Sequence, residues 1–196
     1  MSRLSIAPDE VLRENEQMLS LAEAAMGFTP NSLKIMARKP ELLTGFLMLS
    51  GALLGPEATL SSGLRQMIAH ITSAAAGCRY CQAHTAHGAE RQGVSAEKIE
   101  AIWQYETSDL FTEAERAALA LARSAGSVPN DASDEQFDEL KKHFSEDEIT
   151  EIVGVIAYFG FLNRWNDTLA TPLEESPLAF AQAHLEQHGW MAGKHG

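Results

Sequence analysis

The sequence predicts an all-α protein. Three observations carry that expectation: apolar residues recur at helical spacing along most of the chain, strand-like alternation is absent, and three capping-box patterns mark helix starts. The expected organisation is one helical domain over residues 1–196, with its core at about 30–172, an N-terminal helix and a C-terminal helical extension.

From Pro8 to Met26, Val11, Leu12, Met18, Leu19, Leu21, Ala22 and Ala25 fall at helical spacing, and Gly27 ends the run. Pro30 opens a short helix through Ala37. Pro40 opens another, Glu41 to Leu54, which is apolar on most faces and is expected to be buried. Gly55-Pro56 breaks the chain. The next helix, about Ser61 to Ala76, carries Leu64, Met67, Ile68 and Ile71 on one face. A further helix runs from Arg79 to Gln92 and stops at Gly93, and Ser95 caps one that ends near Tyr105.

In the second half, Thr112 with Glu115, Ser133 with Gln136, and Ser145 with Glu148 have capping-box spacing. The helix from Ser145 to about Leu169 is apolar through Ile149, Ile152, Val153, Val155, Ile156, Tyr158, Phe159, Phe161 and Leu162, which predicts a central core helix. Pro172 and Pro177 punctuate its exit, and Leu178 to His188 reads as a last amphipathic helix before a polar tail. The acidic positions 134, 135, 138 and 139 read as a solvated face.

Composition narrows the function. A net charge of −12 works against nucleic-acid and anionic-membrane surfaces. The longest apolar runs are about half of what a bilayer needs, and the first twenty residues carry three glutamates and an aspartate rather than a basic region followed by an apolar core. A cytoplasmic protein is expected. In a reducing cytosol a lone Cys-x-x-Cys points to redox, catalytic or metal chemistry rather than to a structural staple.

That chemistry is concentrated between Gln66 and His87, which holds both cysteines, Cys78 and Cys81, with His70, His84 and His87 around them. Two cysteines separated by two residues on a helix lie about one turn apart, roughly 5 Å between Cα atoms, so the pair can close and open as a disulfide. Gly77 is expected to end the preceding helix and to leave Cys78 at the start of the next, where the helix dipole favours a thiolate. A zinc site from Cys78, Cys81, His84 and His87 is disfavoured, because steps of three residues wind halfway round a helix. An offset of 85 lays Gln66 on Glu151, Cys78 on Asn163, Arg79 on Arg164, Tyr80 on Trp165 and Cys81 on Asn166, which reads as a degenerate internal repeat.

The segment Cys78-Arg79-Tyr80-Cys81, placed between an apolar helix and a His-bearing helix ending at Gly93, resembles the active-site segment of the alkylhydroperoxidase D (AhpD-like) family of the carboxymuconolactone decarboxylase superfamily. Phe161-Leu162-Asn163-Arg164-Trp165 resembles the second half of the peroxidase-related members. The resemblance implies an all-helical, oligomeric thiol peroxidase with no haem, flavin or metal, acting in antioxidant defence. Its partners would be a hydroperoxide and a thiol or dithiol reductant or redox protein, with a dimer, trimer or hexamer as the assembly. It assigns peroxide attack to Cys81 and resolution to Cys78, whereas the helix-start argument favours Cys78 as the thiolate.

Two departures stand out. The family's relay glutamate falls on Gln66, and its relay histidine falls on Thr85. His84, His70 one turn after Gln66, or Glu151 from the second half are the candidate replacements, and Tyr80 is a candidate hydroxyl donor. Asn163, Arg164 and Asp167 read as site contacts or as a helix cap or ion pair. The competing readings are a carboxymuconolactone decarboxylase-like lyase, which does not need the cysteines, and a non-enzymatic redox sensor.

Overall fold

The computed structural model describes residues 2–196. Among these residues there are eleven α-helices and no strand. They are α1 (Asp9–Glu14), α2 (Glu16–Met26), α3 (Asn31–Met36), α4 (Pro40–Leu54), α5 (Ser62–Ala75), α6 (Arg79–Arg91), α7 (Ala96–Glu100), α8 (Glu113–Gly126), α9 (Asp134–Leu140), α10 (Glu146–Leu169) and α11 (Glu175–His184).

The helix starts follow the cap signals because a side-chain oxygen satisfies an otherwise orphaned N–H. Ser61 Oγ accepts from the Leu64 N–H at 3.3 Å, and Ser95 Oγ accepts from the Lys98 N–H at 3.2 Å. Thr112 and Glu115 cap α8 reciprocally, as Ser145 and Glu148 cap α10. At α9 the Gln136 carboxamide oxygen accepts from the Ser133 N–H at 3.1 Å.

Two helix boundaries differ from expectation. The run from Pro8 to Met26 is two helices, because buried Asn15 leaves helical geometry at φ −106°, ψ 12° and its amide donates to the Val11 carbonyl at 2.8 Å. The last helix begins at Glu175 rather than Leu178 and stops at His184, followed by a short 3₁₀ turn at Glu186–His188. The polar tail beyond it packs back on the fold: Trp190 and His195 are buried, and a final 3₁₀ turn spans Gly193–His195.

α5 is the hub. Met67, Ile68, Ala69 and Ile71 are buried on it, and α6, α8 and α10 pack around it. α10 supplies Ile152, Val155, Ile156, Tyr158 and Phe159 to the same core. α4 does not lie inside, contrary to expectation. It covers α10 with one stripe, Phe46 stacking on Tyr158 at 4.9 Å, and leaves Met48 73% and Leu49 50% exposed. A helix apolar on all sides can be half covered when it sits on the outer layer of the bundle. Among the described residues no helix is long and apolar enough to cross a membrane.

Candidate active site

The chain between α5 and α6 is shaped by one glycine. Gly77 adopts φ +75°, the Gly77 N–H reaches the Ala74 carbonyl at 3.0 Å, and the Cys78 N–H reaches the Ser73 carbonyl at 3.0 Å. This is the paired hydrogen bonding of a Schellman stop, which needs a left-handed residue at its centre. The turn delivers Cys78 as the N-cap of α6, with φ −81° and ψ 104°, and Cys81 follows one turn later. Both thiols are free and buried, at 0% and 2% exposure.

The two sulfurs are electrostatically unequal. A hydrogen bond from the Cys81 S–H, outweighing burial and aided by the backbone N–H groups of Cys81 and Tyr80, pulls the Cys78 thiol below its ordinary range. Burial, then that same donated hydrogen bond, pushes the Cys81 thiol well up. Asn166 Nδ2 opposes this, donating to Cys81 Sγ at 3.5 Å. Cys78 is therefore the more acidic sulfur of the pair, and Cys81 donates to it.

A second cluster adjoins the first. Tyr80 Oη donates to Glu174 Oε1 at 2.9 Å, and His84 Nε2 lies 2.5 Å from Glu174 Oε2. The Asn31 N–H also donates to Glu174 Oε1, and the Tyr80 and His84 rings stack at 4.2 Å. Burial raises the Glu174 carboxyl, but the hydrogen bond and charge of His84 with the Asn31 N–H outweigh it and leave it below the usual carboxylate range. Burial, then the Glu174 charge, pushes Tyr80 far up, so its hydroxyl stays protonated and donates.

None of the remaining candidates hydrogen-bonds a thiol sulfur. His70 is a buried pin between α5 and α6, its Nδ1 at 3.1 Å from both the Gln82 carbonyl and Thr85 Oγ1, and desolvation holds its pKa down to about 4. Gln66 lies against Gly88, about two turns along α6 from Cys81. Glu151 accepts from the Thr59 and Leu60 N–H groups and lies 4.0 Å from Arg65. That is the far end of α5, about 20 Å of helix away from Gly77. His87 packs by Phe28 and Phe180. Arg164 is exposed and donates to the Gly160 carbonyl, while Asn163 is buried with neither amide atom hydrogen-bonded.

Three residues that the sequence reading left out of the site belong to it. Asn166 was visible only as the position opposite Cys81 in the repeat. Glu174 follows Pro172 in what reads as a punctuated exit, and His195 lies in a tail that polarity alone assigns to solvent. His195 and Asp167 flank Cys78: a ring nitrogen, a carboxylate oxygen and the sulfur lie within 4.8 Å of one another. Among the described residues this is the one cluster of three or more such donors; Cys78, Cys81, His84 and His87 do not form one. Asp167 also lines a cavity of about 570 Å³ with Ala76, Val153, Phe161, Asn163 and Arg164, so open space comes within one side chain of Cys78.

The profile of the carboxymuconolactone decarboxylase family matches residues 40–124. The chain is 31% identical over 98 residues to the uncharacterized protein YnjA of Escherichia coli, covering 50% of this chain and 53% of YnjA, so it spans about half the length of that relative. Among solved structures it is similar to a cysteine-to-alanine variant of the debrominase Bmp8 in complex with 2,3,4-tribromopyrrole, with TM-score 0.86, 34% identity, and 93% of this chain and 99% of that one covered. An uncharacterized peroxidase-related protein from Ralstonia eutropha, an alkylhydroperoxidase AhpD core, shares the fold at TM-score 0.76 and 23% identity over 92% of this chain and 95% of that one.

Proposed function

The chain belongs to the AhpD-like carboxymuconolactone decarboxylase superfamily, and from that premise we propose that it is a dithiol oxidoreductase reducing hydroperoxides through Cys78 and Cys81. The observation that carries the reading is a pair of free, buried thiols one turn apart at the start of α6, with the Cys81 S–H donating to Cys78. The less acidic sulfur is the stronger nucleophile once its proton leaves, which favours Cys81 as the attacker and Cys78 as the proton's next station. Cys81 attacks the terminal peroxide oxygen, the O–O bond breaks, and the Cys81 thiol proton passes through Cys78 to the leaving alkoxide. The product is an alcohol and a sulfenic acid on Cys81. The Cys78 thiolate then attacks that sulfur, hydroxide leaves as water with one further proton, and a disulfide remains. A thiol or dithiol reductant, or a redox protein, returns the pair to the dithiol. A cytoplasmic setting with its reducing poise suits that cycle.

The site takes in the C-terminal extension, since Glu174 and His195 meet α6. A homo-oligomer is supported by the exposed apolar residues Met48 and Leu49 on α4 and Val153 and Phe161 on α10, two helices that pack together. Light scattering that found only monomer at micromolar concentration would refute the assembly.

The likeness to Bmp8 over nearly the full chain favours a second electrophile. The same dithiol could reduce an aryl bromide, giving a C–H bond, bromide, a proton and the disulfide. The test runs both substrates with one protein: cumene hydroperoxide and a bromopyrrole, each with dithiothreitol as reductant. Hydroperoxide consumption lost in both Cys78→Ser and Cys81→Ser supports the first reading. Bromide release with no hydroperoxide consumption replaces it with the second, and activity that survives Cys81→Ser removes both.

A further inference from the structure

We propose that His195, carried back from the C-terminal turn, is the residue that exchanges a proton with Cys78, in place of the family relay that Gln66 and Thr85 cannot form. The proposal rests on the dithiol reading above.

The ring is set up for this by its other nitrogen. His195 Nδ1 lies 2.8 Å from the Thr171 carbonyl, which can only accept, so Nδ1 bears the hydrogen and the lone pair of the neutral ring is on Nε2. His195 is 1% exposed, and Nε2 is buried with no hydrogen-bond partner. A basic nitrogen left without a partner beside a thiol is costly unless the thiol's proton is its partner in part of the cycle. Asp167 Oδ1 stands 3.6 Å from Nε2, close enough to stabilise the imidazolium when it forms.

The tail is anchored around this contact. The Leu173 N–H donates to the His195 carbonyl at 2.8 Å, Trp190 Nε1 donates to the Arg79 carbonyl at 3.2 Å, and Lys194 pairs with Asp167 at 2.8 Å. The titratable and charged groups facing the ring are therefore Cys78 from the α6 start, with Cys81 hydrogen-bonded to it, Tyr80 with its ring 6.0 Å away, Asp167 from α10 and Lys194 from the tail. Beyond Tyr80 lie His84 and Glu174. Burial lowers the basicity of His195, and the Cys81 hydrogen bond lowers that of Cys78. In the cycle, His195 takes the Cys78 proton as the thiolate forms and returns it to the hydroxide released when the disulfide closes.

The test reads the thiol directly. Trypsin cleaves after Arg79 and so separates Cys78 from Cys81, which allows iodoacetamide alkylation of the reduced full chain to be followed at each cysteine by mass spectrometry. In His195→Gln the pH midpoint of Cys78 alkylation should rise by at least about one unit, and turnover should fall at least about tenfold. An unchanged Cys78 profile in a folded His195→Gln protein overturns the proposal. A shifted profile in a protein that turns over neither hydroperoxide nor bromopyrrole leaves the relay standing and removes the substrate reading. Where His195→Gln loosens the tail, the unsubstituted protein decides: its His195 ring ¹⁵N shifts should differ between dithiol and disulfide forms, and identical shifts overturn the relay.

Discussion

Asn166 and Cys81, eighty-five positions apart, meet side chain to side chain: the Asn166 amide donates to the Cys81 sulfur at 3.5 Å. The partners are the two residues that the internal offset superimposes, so the polar end of α10 lies against the start of α6. A neutral donor is what a sulfur that alternates between thiol and thiolate tolerates, since it leaves the local charge unchanged. Asn166→Leu should therefore slow alkylation of Cys81 several-fold at pH 8, by removing the one hydrogen bond that opposes its raised pKa. Site-resolved mass spectrometry checks this, and unchanged Cys81 kinetics would show the contact to be packing only.

The coupling of the two sulfurs makes a reciprocal prediction. Cys81→Ala removes the S–H that stabilises the Cys78 thiolate, so Cys78 alkylation at pH 7 should slow by about tenfold, roughly one unit of its midpoint. Cys78→Ala should make Cys81 easier to ionise, because its hydrogen-bond acceptor and neighbouring charge both go.

His70 predicts how stability depends on pH. Its ring has a pKa of about 4 in the folded chain, against about 6.5 when unfolded. Below 6.5 the unfolded chain takes up a proton that the folded one refuses. The stabilisation is therefore complete above pH 6.5 and falls as pH drops toward 4, by at most roughly 3 kcal/mol. Glu174, held low in the fold, adds a loss of the same sign as pH falls through its folded pKa. Urea midpoints at pH 7, 5.5 and 4 should follow this decline, and His70→Gln should flatten the portion between 6.5 and 4.

Two buried carboxylates should behave differently. Glu174→Gln breaks the pair with His84 and removes the charged acceptor of Tyr80 and Asn31, and should cost about 3 kcal/mol. It should also alter turnover if the Tyr80–His84 cluster serves the thiols. Glu151→Gln should lower stability by about 1–2 kcal/mol through Thr59, Leu60 and Arg65, while leaving Cys78 and Cys81 alkylation unchanged. A change in thiol reactivity in Glu151→Gln would return Glu151 to the relay.

The helical architecture could be read residue by residue because its determinants are local. Ser61, Ser95, Thr112 and Ser145 cap helices with atoms three residues away, and Gly77 stops α5 through bonds within five residues. The Cys78–Cys81 spacing is local in the same sense. Asn15 shows the limit of that reading, since one side chain bonding back to Val11 divides a helix whose apolar periodicity runs through it.

By itself, then, the sequence determined the helices, the turn at Gly77 and a dithiol at a helix start, all consequences of hydrogen bonds closed within one or two turns. The tertiary structure decided which polar groups surround that dithiol. Glu174 and His195 lie 90 and more positions from His84 and Cys78, and nothing in their own neighbourhoods distinguishes them from solvated residues. They become site residues only because α11 and the tail fold back over α6, burying Ala181, Leu185 and Trp190 against Ala83, Ala86 and Ala89. That apolar contact has no directional signature in the sequence. It nonetheless fixes where a carboxylate and an imidazole come to rest, while Gln66 and Glu151, at suggestive positions in the chain, are held at the other end of α5.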